Sequence, residues 1–265
     1  MFLVPPALPE MTAAGTLVVD GKAVDPICLL GLARANNSES ISVELRKCGN
    51  EHIIIGSGSS DPAMFGFNYR VRNAQRVSDR RYLFYRLLGF YRGRPLLFIE
   101  FSQGDASNWT RIVGVNKNGD ILKSETPIAT GDRCNGGLFN VSVDHGHLSY
   151  DQRLSPYNLI NLTDELPRLE LGQKAEHSAD ACVAVLHVAD GRWRSVRFTR
   201  TDFDRKNSGA ENIAYPPCFS RIYRDYAVRR DTELDHAGVR RFVNIFVSTC
   251  MVPAFIDRAD PKAAR

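Results

Sequence analysis

The sequence predicts a mainly β protein of the α+β class, with antiparallel meander or sandwich-like sheets and a C-terminal helical hairpin. Three observations predict it. Aromatic and β-branched runs recur from Arg81 to Gln152, broken only by short polar turns. Turn dipeptides that favour positive φ separate such runs, among them Asp20-Gly21, Asn118-Gly119 and Asp190-Gly191. After Pro216 the apolar spacing changes from strand-like to helical.

Residues 1–14 read as a loose lead-in and 257–265 as a frayed, flexible tail. Between them we expect a single domain over 15–256, with its β part at 15–200 and its helical hairpin at 216–251. Thr16–Val24 is a hairpin turning at Asp20-Gly21. Ile41–Arg46 alternates as a half-buried strand does, and Ile53–Ile55 is a short buried strand. Gly56–Pro62 is a Gly/Ser loop. It lacks the Lys-Ser/Thr ending of a phosphate-binding loop and does not fit a nucleophile elbow.

Tyr82–Tyr91 and Pro95–Phe101 are strands joined at Arg92-Gly93-Arg94. Trp109–Asn116 turns at Asn118-Gly119 into Asp120–Ser124. The loop Thr130-Gly-Asp-Arg-Cys-Asn-Gly-Gly137 then leads into strand Leu138–Val143. Asp144-His-Gly146 turns that strand into His147–Tyr150. Successive hairpins need no helical crossover. Leu154–Pro167 is an irregular connection or one short helix, and Gly172–Asp180 is polar. Ala181–Val188 and Arg192–Phe198 form another hairpin, and Asp202–Asn212 is a charged linker.

Pro216-Pro217 opens a helix, because a first turn needs no N–H there. Phe219, Ile222, Tyr223 and Tyr226 share one face. Thr232-Glu-Leu-Asp235 reads as a capping-box variant ahead of Val239, Phe242, Val243, Phe246, Val247 and Cys250, and Pro253 ends that helix.

Composition sets broad limits. The chain is 43% hydrophobic and 24% charged with a formal charge of +4, as is ordinary for a globular protein. No run reaches the roughly 20 apolar residues of a membrane span. Met1–Pro9 does not read as a signal peptide, having no basic residue ahead of its apolar part and several prolines within it.

Six cysteines stand far apart, with no C-x-x-C pair. Their even number and wide spacing predict three disulfides and a periplasmic or secreted location, with no leader visible in this sequence. Buried thiols in a cytosolic protein are the alternative. Cys28 and Cys48 flank one polar loop. Antiparallel helices bring Cys218 and Cys250 to one end. Cys134 and Cys182 pair by elimination.

Chemistry is sparsely signalled. Cys134, beside Arg133 and near His145 or His147, is the one candidate thiol nucleophile, though the even cysteine count claims it for a bridge. His145, His147, Asp144 and Asp151 suggest ligands, but no third ligand is set by spacing, so no metal and no cofactor is expected. Glu100, Asp105, Asp132 and Asp151 are acids in the right stretch for glycosidase-type work. Sequons at Asn36, Asn108, Asn140 and Asn161 matter only in a secreted eukaryotic protein.

Between Tyr69 and Arg94 stand eight arginines and one acid, Asp79. Arg70, Arg72, Arg76, Arg80, Arg81, Arg92 and Arg94 form a candidate binding patch, with Arg86 in the same stretch. Solvated strand faces are the plainer reading. The Arg/Tyr interleaving also suits single-stranded nucleic acid, the less natural partner outside the cytosol.

The reading these features support is a non-catalytic, disulfide-stapled extracytoplasmic binding protein for a protein or an anionic envelope component, in an inhibitor or immunity-type role for instance. The alternatives are a cell-envelope polymer hydrolase with its site in the central meander, and a structural module with a broad exposed apolar patch.

Overall fold

The computed structural model describes residues 10–11, 15–19, 21–34, 41–48, 54–55, 64–69, 81–102, 108–163, 182–199, 217–229 and 233–251. The expected Gly56–Pro62 loop, the polar 172–180 stretch, the 202–212 linker, Pro253 and the tail lie outside them. The protein is mostly β, with helices near its C-terminus. It divides into two compact units. The first comprises residues 1–133, 137–151 and 189–191, and the second 134–136, 152–188 and 192–265.

The first unit opens with three short strands, β1 (Glu10–Met11), β2 (Leu17–Val19) and β3 (Lys22–Ala23), paired antiparallel in that order. Part of the expected lead-in is therefore sheet, because Glu10 and Met11 find partners in Val18 and Leu17. A 3₁₀ turn (Pro26–Leu29), N-capped by the Asp25 side chain, runs into α1 (Leu30–Arg34). β4 (Ser42–Glu44) is shorter than its alternation suggests, since Leu45–Lys47 tightens into a 3₁₀ turn.

The main sheet follows: β5 (Ile54–Ile55), β6 (Phe65–Tyr69), β7 (Arg81–Tyr91), β8 (Arg94–Ser102), β9 (Trp109–Asn118), β10 (Ile121–Ser124) and β11 (Ala129–Asp132). Neighbours run β5–β6–β7–β8–β9–β11, and β10 bridges β9 to β4. All the pairs whose register is resolved here are antiparallel. β12 (Asn135–Asp144) and β13 (His147–Leu154) come next.

Two turns differ from expectation. Asn118 pairs with Ile121, so Gly119 and Asp120, not Asn118 and Gly119, are the central residues. Gly119 alone of these has positive φ (58°), the pattern of a type II′ turn. Thr130–Asp132, expected in a loop, pairs with β9, and the loop narrows to Arg133-Cys134.

One face of the sheet carries the core of this unit. Leu83, Tyr85 and Leu87 of β7, Leu97, Ile99 and Phe101 of β8, and Val113 and Val115 of β9 pack with Leu17, Val19, Leu29 and Leu32 of the N-terminal layer. Burying each such side chain contributes about 1.5–3 kcal/mol. The layers are also pinned by polar bonds. Tyr85 Oη donates to the Val24 carbonyl (2.7 Å), and Arg111, almost fully buried, donates from Nη1 to the Leu32 carbonyl (2.9 Å) near the end of α1. On the opposite face Phe84, Leu96, Phe98 and Ile112 are buried as well. There β12 lies over β7, for Arg86 Nη2 donates to the Val141 carbonyl (2.6 Å). β7 bulges between Leu87 and Gly89, where Gly89 adopts φ 124°.

The second unit holds α2 (Pro156–Ile160, N-capped by Ser155), β14 (Ala184–Ala189, its last residue counted in the first unit) and β15 (Arg192–Phe198). Beyond these lie α3 (Pro217–Arg229), β16 (Glu233–Leu234) and α4 (His236–Phe246). Asp190 and Gly191, both at positive φ, make the expected turn between β14 and β15. The capping expectation is corrected. Glu233–Leu234 is extended and pairs with β15, so Asp235 is the N-cap, accepting the Gly238 N–H at 2.7 Å. The helix also stops sooner, with Val247–Met251 widening into a π turn that carries Cys250. Phe198, Phe219, Tyr223, Tyr226, Phe242 and Phe246 form an aromatic core whose paired ring centroids stand 5.0 to 6.0 Å apart.

All six cysteines are bonded, as Cys28–Cys48, Cys134–Cys182 and Cys218–Cys250. These are the three pairings the spacing predicts.

Candidate functional site

Strand register places a polar group at one end of an otherwise apolar face in the first unit. Tyr82 pairs with Ser102, Phe84 with Glu100, and Glu100 with Thr110. Paired residues project to the same side, so Tyr82, Glu100, Ser102 and Thr110 share a face. Glu100 is only 8% exposed. Its Oε1 accepts the Tyr82 hydroxyl at 3.1 Å. Thr110 Oγ1 donates to the Gly131 carbonyl (3.2 Å) and accepts from the Leu138 N–H (2.7 Å). Asp132 accepts the Asn108 N–H at 2.9 Å.

Burial pushes the Tyr82 phenol well above the ordinary tyrosine range. The charge of Glu100 and its hydrogen bond add to that rise, the Arg133 guanidinium opposes it and Asp132 reinforces it. The phenol therefore stays protonated and donating to Glu100 at any ordinary pH. Such a pair can hold a ligand hydroxyl between donor and acceptor.

Of the four acids singled out from sequence, Glu100 meets this phenol directly, and Asp132 acts on it only through its charge. The structure leaves Asp151 on β13, accepting the Asn140 amide (2.8 Å), and Asp105 is outside the described residues.

Cys134 is bonded to Cys182 and buried, which removes the thiol nucleophile considered for it. His145 and His147 are exposed on the β12–β13 hairpin and pair with Asp144 (2.7 Å) and Asp190 (2.9 Å). Among the described residues no group of three or more His, Cys, Asp or Glu could hold a metal ion.

Arg70, Arg72, Arg76 and Arg80 lie outside the described residues. Arg81 starts β7, whereas Arg92 and Arg94 sit at its far turn, about 35 Å away at ~3.3 Å per strand residue. Arg94 pairs with Glu125, and Arg92 lies over the Tyr91 ring (5.0 Å to the centroid). The described members of the arginine stretch are thus not gathered at one place. Among the described residues the exposed large apolar side chains are Ile27, Trp109, Ile121, Ile128 and Ile245, on separate elements and connections.

Sequence reasoning missed Tyr82 as the partner of Glu100. Only the register, which sets Tyr82 against Ser102, reveals it. It also passed over the stack of Trp193 on His236, with centroids 3.3 Å apart, since nothing local joins residues so far apart in the chain.

Fold and bridges define a mostly β protein with C-terminal helices, stapled by three disulfides. No family model, curated protein or solved structure matches the chain.

Proposed function

We propose that the protein is an extracytoplasmic binding module, held rigid by its three bridges, that recognises another protein or an anionic component of the cell envelope. The observation that carries this reading is the pairing of all six cysteines. Such pairing is compatible with an oxidising compartment. Among the described residues, no helix is long and apolar enough to cross a membrane. An inhibitor or immunity-type role is one form of this function. The test is saturable binding of the oxidised chain to a solubilised envelope fraction, compared with the reduced and alkylated chain. Binding by the oxidised form alone is expected. Equal binding by both forms would remove the stapled scaffold from the argument.

A second reading is favoured by Glu100, an almost fully buried acid of the central strands that accepts the Tyr82 hydroxyl at 3.1 Å. In it the chain hydrolyses an envelope polymer at a site in the central meander, with Glu100 as one of its acids. Turnover of such a polymer by the oxidised chain, lost at least a hundredfold in Glu100→Gln, would replace the binding reading with this one.

A further inference from the structure

The first unit buries a cation that no acid among the described residues balances. Arg111, on β9, is 6% exposed. Its Nη1 donates to the Leu32 carbonyl of α1 (2.9 Å). Its Nε is buried and has no hydrogen-bond partner. Among the described residues no carboxylate pairs with it, and burial alone pulls the guanidinium below the ordinary arginine value.

A guanidinium keeps its full charge at ordinary pH. One carbonyl satisfies one donor but does not neutralise that charge. An uncompensated cation and an orphaned N–H in the same side chain both oppose folding. Pinning α1 to the sheet needs only one neutral donor, so the charge itself calls for a second explanation.

Strand register fixes what stands beside it. Arg111 is opposite Ile99 of β8 and Thr130 of β11. Opposite residues project to the same side, with Cβ atoms about 5 Å apart. Ile99 and Val113, the next residue of β9 on this face, are buried, whereas Thr130 is half-buried and brings a hydroxyl. One cation, one hydroxyl and aliphatic walls make a poor site for phosphate or sulfate, most of whose oxygens would lack donors. They suit a halide, which is spherical, asks for few directed bonds and, as chloride or bromide, gives up water readily. The burial of Nε also favours a small ion over a bulky ligand.

We propose that Arg111, between β9 and α1, holds a buried halide, chloride in ordinary media, as its counter-ion. An ion that binds only the folded chain stabilises it by mass action.

The experiment follows thermal unfolding of the oxidised full chain in sodium chloride, bromide, fluoride and gluconate at one ionic strength. Mixed chloride and gluconate solutions give the dose dependence. Arg111→Met keeps most of the side chain's length without its charge. Arg92→Ser removes an exposed arginine at the β7–β8 turn instead. Broadening of the chloride magnetic resonance signal by the folded parent chain reads binding directly and needs no variant.

Chloride and bromide should raise the melting temperature by several degrees over gluconate and over strongly hydrated fluoride. Arg111→Met should lose this difference, and Arg92→Ser should keep it. The chloride signal should broaden saturably and narrow again as bromide is added. Equal melting temperatures in all four salts, a chloride response that survives in Arg111→Met, or a chloride signal for which bromide does not compete overturns the proposal. If Arg111→Met does not fold, the salt series and the resonance signal of the parent chain decide.

Discussion

Tyr85 and Tyr223 each end on main-chain carbonyls far away in sequence. The Tyr85 hydroxyl donates to Val24 at 2.7 Å, and the single proton of Tyr223 is shared between the Val183 (2.6 Å) and Thr199 (2.5 Å) carbonyls. Tyr85→Phe leaves a buried carbonyl without its donor and should cost about 1–3 kcal/mol in urea unfolding. Burial pushes the Tyr223 phenol up to about 12, with the Thr199 side chain pulling the other way. A raised phenol binds its proton more tightly in the folded state. Its stabilisation is full below the unfolded value near pH 10 and drains as pH rises towards 12. Tyr223→Phe should therefore flatten the fall in stability over that window, as read by urea unfolding at stepped alkaline pH. Gly66 makes a different point. A methyl group there would run into the Leu83 carbonyl and the Phe84 ring, so Gly66→Ala should separate β6 from β7 and lower the melting temperature by several degrees. The residue types at these positions announce burial, but not their partners. Val24 and Tyr85 meet only because the N-terminal layer folds back on the sheet.

Among elements, those written in local chemistry were readable. Asp190-Gly191 turns where its dipeptide directs, and Pro217 opens α3. Elements set by their neighbours were not. Leu234 is a strand residue because Val196 offers it a partner, and this shifts the cap of α4 to Asp235. Asp235→Ala should cost about 1 kcal/mol, measurable by chemical denaturation. Thr130–Asp132 looks like loop by composition but becomes β11 against Trp109–Arg111. Cys218 opens α3 and Cys250 lies in the π turn after α4, so their bond clamps the helical pair at one end. Replacing both by alanine frees a 32-residue separation, which should lower stability by about 3–4 kcal/mol in thermal unfolding.

For the molecule as a whole, bridge count and location stand together. Alkylation should label no cysteine before reduction and all six afterwards, by intact mass. Fold class and bridge pairing were legible because strand alternation, turn dipeptides and helical spacing are local and cysteines are few. The polar group around Tyr82 was not, since its members come from four strands whose register no single stretch records. The order of the bridges has one more effect. Each joins a cysteine to the next one along the chain, so no ring encloses or crosses another. A polypeptide threaded amino end first through a translocation channel can close every ring before the following pair arrives. Its maturation should need an oxidase but no isomerase, and yield in an exporting host should survive loss of the second and not of the first.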